Sequence, residues 1–129
     1  MTKYNSEFAG IGHDIVEISR IAESISKFGD RFFTKLFTQH ETNYCSKKVN
    51  IAMHFAGRFA AKEAIAKALG TGFGDYLSWQ DLEIINDDLG RPVVHVSETF
   101  KQNFPDYKID VSISHTDTLA SAVAIIHKI

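Results

Sequence analysis

The chain has 129 residues, of which 44% are hydrophobic and 23% are charged. These values are typical of one globular domain, here residues 1–129, and they exclude a largely disordered or collagen-like protein. The formal net charge of −2 argues against a general nucleic-acid-binding protein.

The first part of the chain is predicted to contain a short strand and an amphipathic helix. Residues 8–12 read as a strand that ends in glycine, and Asp14 is a good N-cap for the helix that follows. Apolar residues recur every three or four positions from residue 15, so we expect this helix to run to about Lys27. Gly29 is expected to end it.

Two further helices are predicted in the middle of the chain. Thr38 and Glu41 have the spacing of a capping box and indicate the start of a short helix. Residues 51–69 are rich in alanine and lack proline, which predicts a long helix ending at Gly70. A glycine-rich turn over residues 70–74 follows.

The second half of the chain changes to the alternating pattern of strands. Strands are predicted over residues 82–85, 92–96, 109–113 and 119–126, with a hairpin turn at 86–91. Ser97 is expected to cap a short helix that extends to about Asn103. Helices followed by strands favour an α+β fold in which an antiparallel sheet packs against the long central helix.

Charge is distributed unevenly along the chain. Residues 19–62 carry eight Lys and Arg against three acids, whereas residues 81–110 carry seven acids against three bases. A basic stretch in an acidic protein suggests an anionic ligand or an acidic partner. A solvated helix face would have the same composition, so charge alone leaves both readings open.

Three further features of the sequence bear on where in the cell the protein resides. The longest uncharged apolar stretch lies between Asp117 and Lys128, too short to span a membrane. The first residues are polar, so no secretory leader is expected. The single cysteine, Cys45, cannot form an internal disulfide. Together these features predict a protein of the cytoplasm, a reducing compartment.

Carboxylates and lysines near two glycine-containing segments are the first candidates for chemistry. Asp14 follows Gly12 and could ligate a hard cation or simply cap a helix. Glu63 and Lys67 lie four residues apart, on one face of the long helix, a spacing that also suits an ordinary ion pair.

A polar strand end is the second candidate. Residues 112–116 place two serines, a histidine and a threonine where the chain leaves the sheet, and no G-x-S-x-G motif surrounds either serine. The six histidines show no metal-ligand spacing, which argues against zinc. These residues are compatible with Mg²⁺-dependent binding of a polyphosphate, but they do not single out a reaction.

Three segments together resemble one enzyme family. Residues 10–18 (GIGHDIVEI), 57–72 (GRFAAKEAIAKALGTG), and the pair 90–92 (GRP) and 112–116 (SISHT) are similar, in order, to motifs of the small trimeric 4′-phosphopantetheinyl transferases. This family comprises the holo-[acyl-carrier-protein] synthases. The resemblance spans residues 8–127.

The resemblance implies a reaction and a site. Such an enzyme transfers 4′-phosphopantetheine from coenzyme A (CoA) to a serine of apo acyl carrier protein and releases adenosine 3′,5′-bisphosphate. Asp14 and Glu63 match the Mg²⁺-binding carboxylates. Glu63 could also accept the serine proton, and Lys67 could stabilise the leaving group.

The resemblance also implies binding surfaces and an assembly. Arg20 matches a basic position that docks the acidic carrier, with Lys27 and Arg31 nearby. A homotrimer with active sites at the subunit interfaces is implied as well. Several residues are expected to contact CoA, some of them by binding its anionic groups: Arg58, Lys62, Lys67, Gly90, Arg91, Pro92, His115 and Thr116. Lys47 and Lys48 of a neighbouring subunit are further candidates.

His13 and Ala66 depart from residues common in the family, without touching the metal pair. Two other functions remain open at this point. A Mg²⁺-dependent pyrophosphohydrolase would use the same acidic and basic residues, and a non-catalytic module could bind CoA or the carrier alone.

Overall fold

The computed structural model describes residues 7–129. Helices and strands alternate in blocks, and a short 3₁₀ turn at Trp79–Asp81 precedes β2. The elements are β1 (Glu7–Glu17), α1 (Ile18–Phe28), α2 (Asp30–Leu36), α3 (Gln39–Ser46), α4 (Ile51–Leu69), β2 (Leu82–Asn86), β3 (Pro92–Val96), α5 (Glu98–Asn103), β4 (Tyr107–His115) and β5 (Leu119–Lys128).

The strands form two antiparallel sheets. β5 lies between β1 and β4 in a three-stranded sheet, and β2 pairs with β3 in a separate hairpin. The long helix α4 packs on the three-stranded sheet and buries its central residues between the sheet and the other helices. The predicted α+β fold, with an antiparallel sheet against a long central helix, is confirmed.

Helix α4 has the predicted bounds because both of its ends are capped. The Asn50 side chain accepts a hydrogen bond from the Met53 amide at the N-terminus. Gly70 adopts the left-handed conformation (φ 79°) that ends a helix without steric penalty. The alanines of α4 give the helix a thin surface, which allows it to approach the sheet closely.

Two glycines of β1 set the distance between β1 and α4. A methyl group on Gly10 would overlap the carbonyl oxygen of Ala68, and one on Gly12 would overlap the carbonyl oxygen of Ala64. Strand and helix backbones therefore touch directly at these positions. This contact brings Asp14, two residues beyond Gly12, against the C-terminal half of α4.

The predicted start of the first helix is wrong. β1 continues to Glu17, and α1 begins at Ile18. Asp14 therefore lies within the strand, opposite Ala122 of β5, and does not cap a helix. Pairing with β5 as far as Glu17 overrides the helical spacing of the apolar residues, and the Ile18 amide donates to the carbonyl oxygen of Thr118.

The other predicted elements are present, with small extensions, and one helix was not predicted. Thr38 and Glu41 form the capping box of α3, and Ser97 caps α5. The seven-residue helix α2 lies between α1 and α3. It was not predicted, because its N-cap residue, Gly29, has no side chain that would signal a helix start. Within residues 7–129, no helix is long and apolar enough to cross a bilayer.

Candidate active site

Asp14 and Lys67 form an ion pair where β1 meets α4. The Lys67 ammonium donates to Asp14 Oδ1 at 3.0 Å and to the carbonyl oxygen of His13 at 3.1 Å. Asp14 is mostly buried and Lys67 is about half exposed, so the pair sits at the edge of solvent. Residues 53 positions apart are thus brought into direct contact by the packing of α4 on β1.

Glu63 shares this corner of the molecule. Burial raises the pKa of the Glu63 carboxyl, the negative charge of Asp14 raises it further, and Lys67 opposes both effects. Two carboxylates that repel each other in this way are a favourable site for a cation. Among residues 7–129, no group of three or more His, Cys, Asp or Glu forms a metal cage. A pair of oxygen ligands without a full cage suits Mg²⁺, which takes its remaining ligands from water and phosphate.

A cleft of about 200 Å³ lies on the other side of α4 and gathers four of the residues predicted to bind CoA. These are Arg58, Gly90, Pro92 and His115. The β2–β3 turn forms one wall of the cleft. Two hydrogen bonds to Asp87 Oδ1, from the Leu89 and Arg91 amides, and the positive φ of Gly90 (89°) define the shape of this turn. The remaining lining residues are Met53, His54, Gly57, Asn86 and Ile113.

Arg58 is the main cation of this cleft. Its side chain is buried, with 3% of the residue exposed, and its Nη2 donates to Asn86 Oδ1 at 2.8 Å. The guanidinium also lies over the Tyr44 ring, 4.8 Å from the centroid. Arg58 Nε is buried without a hydrogen-bond partner in the described structure. Since buried donors are almost always satisfied, this N–H indicates an acceptor that a ligand would supply.

The carboxylate corner and the cleft lie on the same face of the sheet. Asp14 of β1 is opposite Ala122 of β5, which is in turn opposite Ile113 of β4, a lining residue of the cleft. Two strand spacings separate Asp14 from Ile113, roughly 10 Å. Helix α4 packs on this same face, so within one chain the two groups lie close together but on opposite sides of the helix.

Lys62 is the predicted CoA-binding residue that the structure places elsewhere. Its ammonium is fully buried and donates to Glu41 Oε1 at 2.7 Å and to the carbonyl oxygens of Leu36 and Trp79. All three protons are therefore used inside the protein. Burial lowers the pKa of Lys62, and the Glu41 carboxylate opposes this effect. In this structure Lys62 therefore joins α4, α3 and the segment before β2, and its contact with CoA stays a prediction.

The other predicted residues lie around the edges of the site. Arg91 is exposed on the β2–β3 turn, 3.5 Å from Asp87, and is not among the residues that line the 200 Å³ cleft. Thr116 shapes the β4–β5 turn, because its hydroxyl accepts hydrogen bonds from the Thr118 and Leu119 amides. Lys47 and Lys48 line an adjacent groove with Tyr44, His40 and His95.

Of the five lining residues that sequence reasoning missed, two are polar, His54 and Asn86. His54 precedes Arg58 by four residues on α4, so helical spacing alone places it on the same face. Asn86 is the last residue of β2, and no sequence signal marked it. Its amide oxygen holds Arg58 in position.

A second groove runs between α1 and α2 on the basic side of the protein. It has a volume of about 490 Å³, and its apolar lining includes Phe28 and Phe59. Arg31 and Lys35 border it. Lys27 lies over the Phe28 ring, and Arg20 is exposed on α1, so basic residues lie beside this apolar groove.

Known proteins resemble this chain over most of its length. A sequence model described as the 4′-phosphopantetheinyl transferase superfamily matches residues 10–124. A holo-[acyl-carrier-protein] synthase of Protochlamydia amoebophila is 50% identical over 116 residues, covering 90% of this chain and 95% of that protein. The synthase of Fusobacterium nucleatum is 49% identical over 121 residues, covering 91% and 97%.

Solved structures agree with these matches. The Bacillus anthracis synthase, in complex with CoA (3′,5′-ADP), has a TM-score of 0.80 at 35% identity and covers 95% of this chain and 98% of its own. The Helicobacter pylori synthase, in complex with coenzyme A, has a TM-score of 0.82 at 34% identity, with coverage of 90% and 98%. The chain therefore belongs to the holo-[acyl-carrier-protein] synthases of the 4′-phosphopantetheinyl transferase superfamily.

Proposed function

We propose that the protein transfers 4′-phosphopantetheine from CoA to a serine of apo acyl carrier protein, with Mg²⁺, in support of fatty acid biosynthesis. The observation that carries this proposal is that two carboxylates with Lys67 lie on one side of α4 and a cationic cleft lies on the other, about two strand spacings away. The named relatives and the CoA complexes of two neighbours support it.

The cleft is the proposed site for the nucleotide end of CoA. The unpartnered N–H of Arg58 and the exposed imidazole of His115 would donate to phosphate oxygens. Gly90 and Pro92 add little bulk, which leaves room for a flat base against the β2–β3 turn. The diphosphate would then extend from this cleft toward Lys67 and the two carboxylates across the proposed subunit interface.

Asp14 and Glu63 would hold Mg²⁺ at the other end of the site. Their oxygen-only donor set and mutual repulsion fit a hard divalent cation. When bound, Mg²⁺ neutralises charge on the diphosphate and helps to align it.

The chain's own residues have distinct tasks in the transfer. The serine oxygen of the carrier attacks the β-phosphorus of CoA, and the bond from that phosphorus to the bridging oxygen breaks as adenosine 3′,5′-bisphosphate leaves. Lys67, which is paired with Asp14, would stabilise the negative charge that develops on the leaving oxygen or protonate it. Glu63, whose pKa is raised, is a candidate to accept the serine proton when it is not engaged by the cation.

Helix α1 is the proposed docking surface for the acidic carrier. Arg20 and Lys27 are exposed on it, and Arg31 borders the groove that contains Phe28. Charges around an apolar centre accelerate encounter and set orientation, while the apolar contact slows dissociation.

The outer face of the three-stranded sheet supports assembly into the proposed homotrimer. Ile11 and Ile15 are 61% and 57% exposed, and Val123 beside them is 36% exposed. Large apolar side chains grouped on a sheet face favour burial against another copy of the chain. We place the active sites near the resulting subunit clefts.

Mass spectrometry of apo carrier incubated with the protein, CoA and Mg²⁺ tests the proposal. A mass gain of one phosphopantetheine on the carrier is expected, and its loss when CoA or Mg²⁺ is omitted is the matched control. Free phosphopantetheine formed from CoA without a carrier would instead identify a pyrophosphohydrolase. CoA or carrier binding without either product would identify a non-catalytic module.

A further inference from the structure

His54 is the residue of the cleft to which the proposed reaction assigns no task. It is half-buried on α4, one turn before Arg58, and its backbone carbonyl accepts a 3.5 Å hydrogen bond from Arg58 Nη1. Its ring lines the cleft together with His115. The Tyr44 ring meets it edge-on, with ring centroids 6.3 Å apart.

Three basic residues lie close enough to His54 to influence its charge. Arg58 lies on the same helix, Lys48 on the segment before it and His115 on β4. Tyr44, from α3, also places a titratable side chain beside it. Burial lowers the pKa of His54, and these positive charges lower it further. At neutral pH the imidazole is therefore uncharged in the free protein.

We propose that His54 is a binding residue for the phosphate-bearing nucleotide end of CoA and that it takes up a proton when this anion enters the cleft. The inference rests on the proposed function, since it requires CoA to occupy the cleft. A dianionic phosphate favours the protonated ring, because its charge offsets the positive charges of Arg58 and Lys48 and attracts the imidazolium. The imidazolium then donates a charge-assisted hydrogen bond that the neutral ring cannot match.

The sign of the pH dependence follows from this exchange. Above the pKa of His54 in the complex, neither free nor bound protein carries the proton. Between the pKa values of the free and bound forms, binding takes up a proton, so affinity rises as pH falls. Below the pKa of the free form, His54 is already protonated and the dependence on this residue ends.

Isothermal titration calorimetry of CoA against the full-length protein measures this proton directly. Titrations near pH 7 in PIPES, HEPES and Tris, which differ in ionisation enthalpy, give the number of protons taken up. We expect the wild type to take up about half a proton more than His54→Asn near pH 7. Between pH 8 and pH 6, its dissociation constant should fall about threefold to tenfold more than that of the variant.

Comparison with the variant removes the contribution of the ligand, because protons gained or lost by the CoA phosphates are common to both. His95→Asn, on the neighbouring groove, is the matched control and should keep the wild-type proton uptake. Equal uptake by wild type and His54→Asn overturns the inference. Should His54→Asn fail to fold, His54→Gln and histidine NMR of the wild type replace it: one ring should gain a proton on addition of CoA, and no such change would also overturn the inference.

The result is separable from the fate of the proposed function. A protein that modifies the carrier and binds CoA, yet shows no His54-dependent proton, refutes only the inference. A protein that neither binds CoA nor modifies the carrier refutes the proposed function itself.

Discussion

Glu63 is a carboxylate whose surroundings favour a positive neighbour. Burial and the adjacent Asp14 raise its pKa, so the ionised form is disfavoured in the folded protein. A raised carboxyl pKa means that the folded state binds a proton more readily than the unfolded state, and stability is lost as pH rises through the unfolded and then the folded pKa. In the proposed mechanism, Glu63 therefore serves function at a cost to the stability of the metal-free protein.

Glu63→Gln should consequently raise the melting temperature of the protein in EDTA at pH 7 and abolish most of its transfer activity. Losing one ligand that neutralises diphosphate charge is expected to lower kcat by about a hundredfold or more. Differential scanning calorimetry and a carrier-modification assay measure the two effects. Glu98→Gln, at an exposed glutamate of α5, is the control and should change neither. A destabilised Gln variant with normal activity would contradict this account.

Lys62 differs from its neighbour Glu63 because its charge is enclosed by the protein. Replacing it with Met leaves the Glu41 carboxylate buried without its counter-ion. We expect Lys62→Met to lose about 3–5 kcal/mol of unfolding free energy, measured by urea denaturation. The double variant Lys62→Met, Glu41→Gln should recover part of this loss, because the second change removes the stranded charge.

Lys101→Met, at an exposed lysine of α5, serves as the control for loss of a lysine. If Lys62→Met unfolds at the wild-type urea concentration but binds CoA poorly, the ammonium contacts the ligand and the structural role assigned to it is wrong.

At the scale of elements, the contact between β1 and α4 determines whether a site exists. Gly12→Ala places a methyl group on the carbonyl oxygen of Ala64, and neither backbone can yield without disturbing the core. We expect a loss of about 3 kcal/mol or more in stability, because overpacking at a backbone contact has no flexible side chain to absorb it. Gly74→Ala is the control, since its Cβ would enter open space.

Thermal unfolding of both variants measures the difference. A Gly12→Ala protein as stable as Gly74→Ala would show that α4 does not press on the strand as described.

Helix α1 contributes exposed positive charge to the proposed docking surface for the carrier. Arg20→Glu should lower kcat/KM for the carrier about tenfold at low ionic strength, with a smaller effect at high salt, because steering by exposed charges is screened. CoA affinity should hardly change. Lys101→Glu, on α5, controls for the change in net charge, and an equal loss of CoA binding in Arg20→Glu would contradict the separation of the two surfaces.

Local signals in the sequence predicted the elements that depend on local interactions. The caps and composition of α4 lie within the segment, so its bounds were readable, as were the Thr38 capping box and the β2–β3 turn. The end of β1 could not be predicted from the sequence, because it is determined by pairing with β5, more than 100 positions away. Burial of Lys62 depends on Glu41 and on two distant carbonyl oxygens, which no spacing on α4 reveals.

For the whole molecule, the exposed sheet face is the feature that a single chain leaves unexplained. Ile15→Asp should convert the proposed trimer into smaller species, because three charges would be buried at the interface. Analytical ultracentrifugation measures the assembly, and transfer activity should fall with it if the active sites are shared. Tyr76→Asp, at a residue 62% exposed on a distant loop, is the control. An active monomer of the wild type would overturn the assembly proposal.

Because the Ala-rich surface of α4 packs so closely on β1, the two walls of the proposed site differ in how many substitutions they can tolerate. Glu63 and Lys67 lie on a helix whose backbone contacts β1 directly. Substitutions that shift this helix would therefore destabilise the whole domain. The β2–β3 turn opposite is an exposed loop whose residues contribute little to the core. Lineages that diverge in the donor molecules they accept would therefore accumulate their differences in that turn.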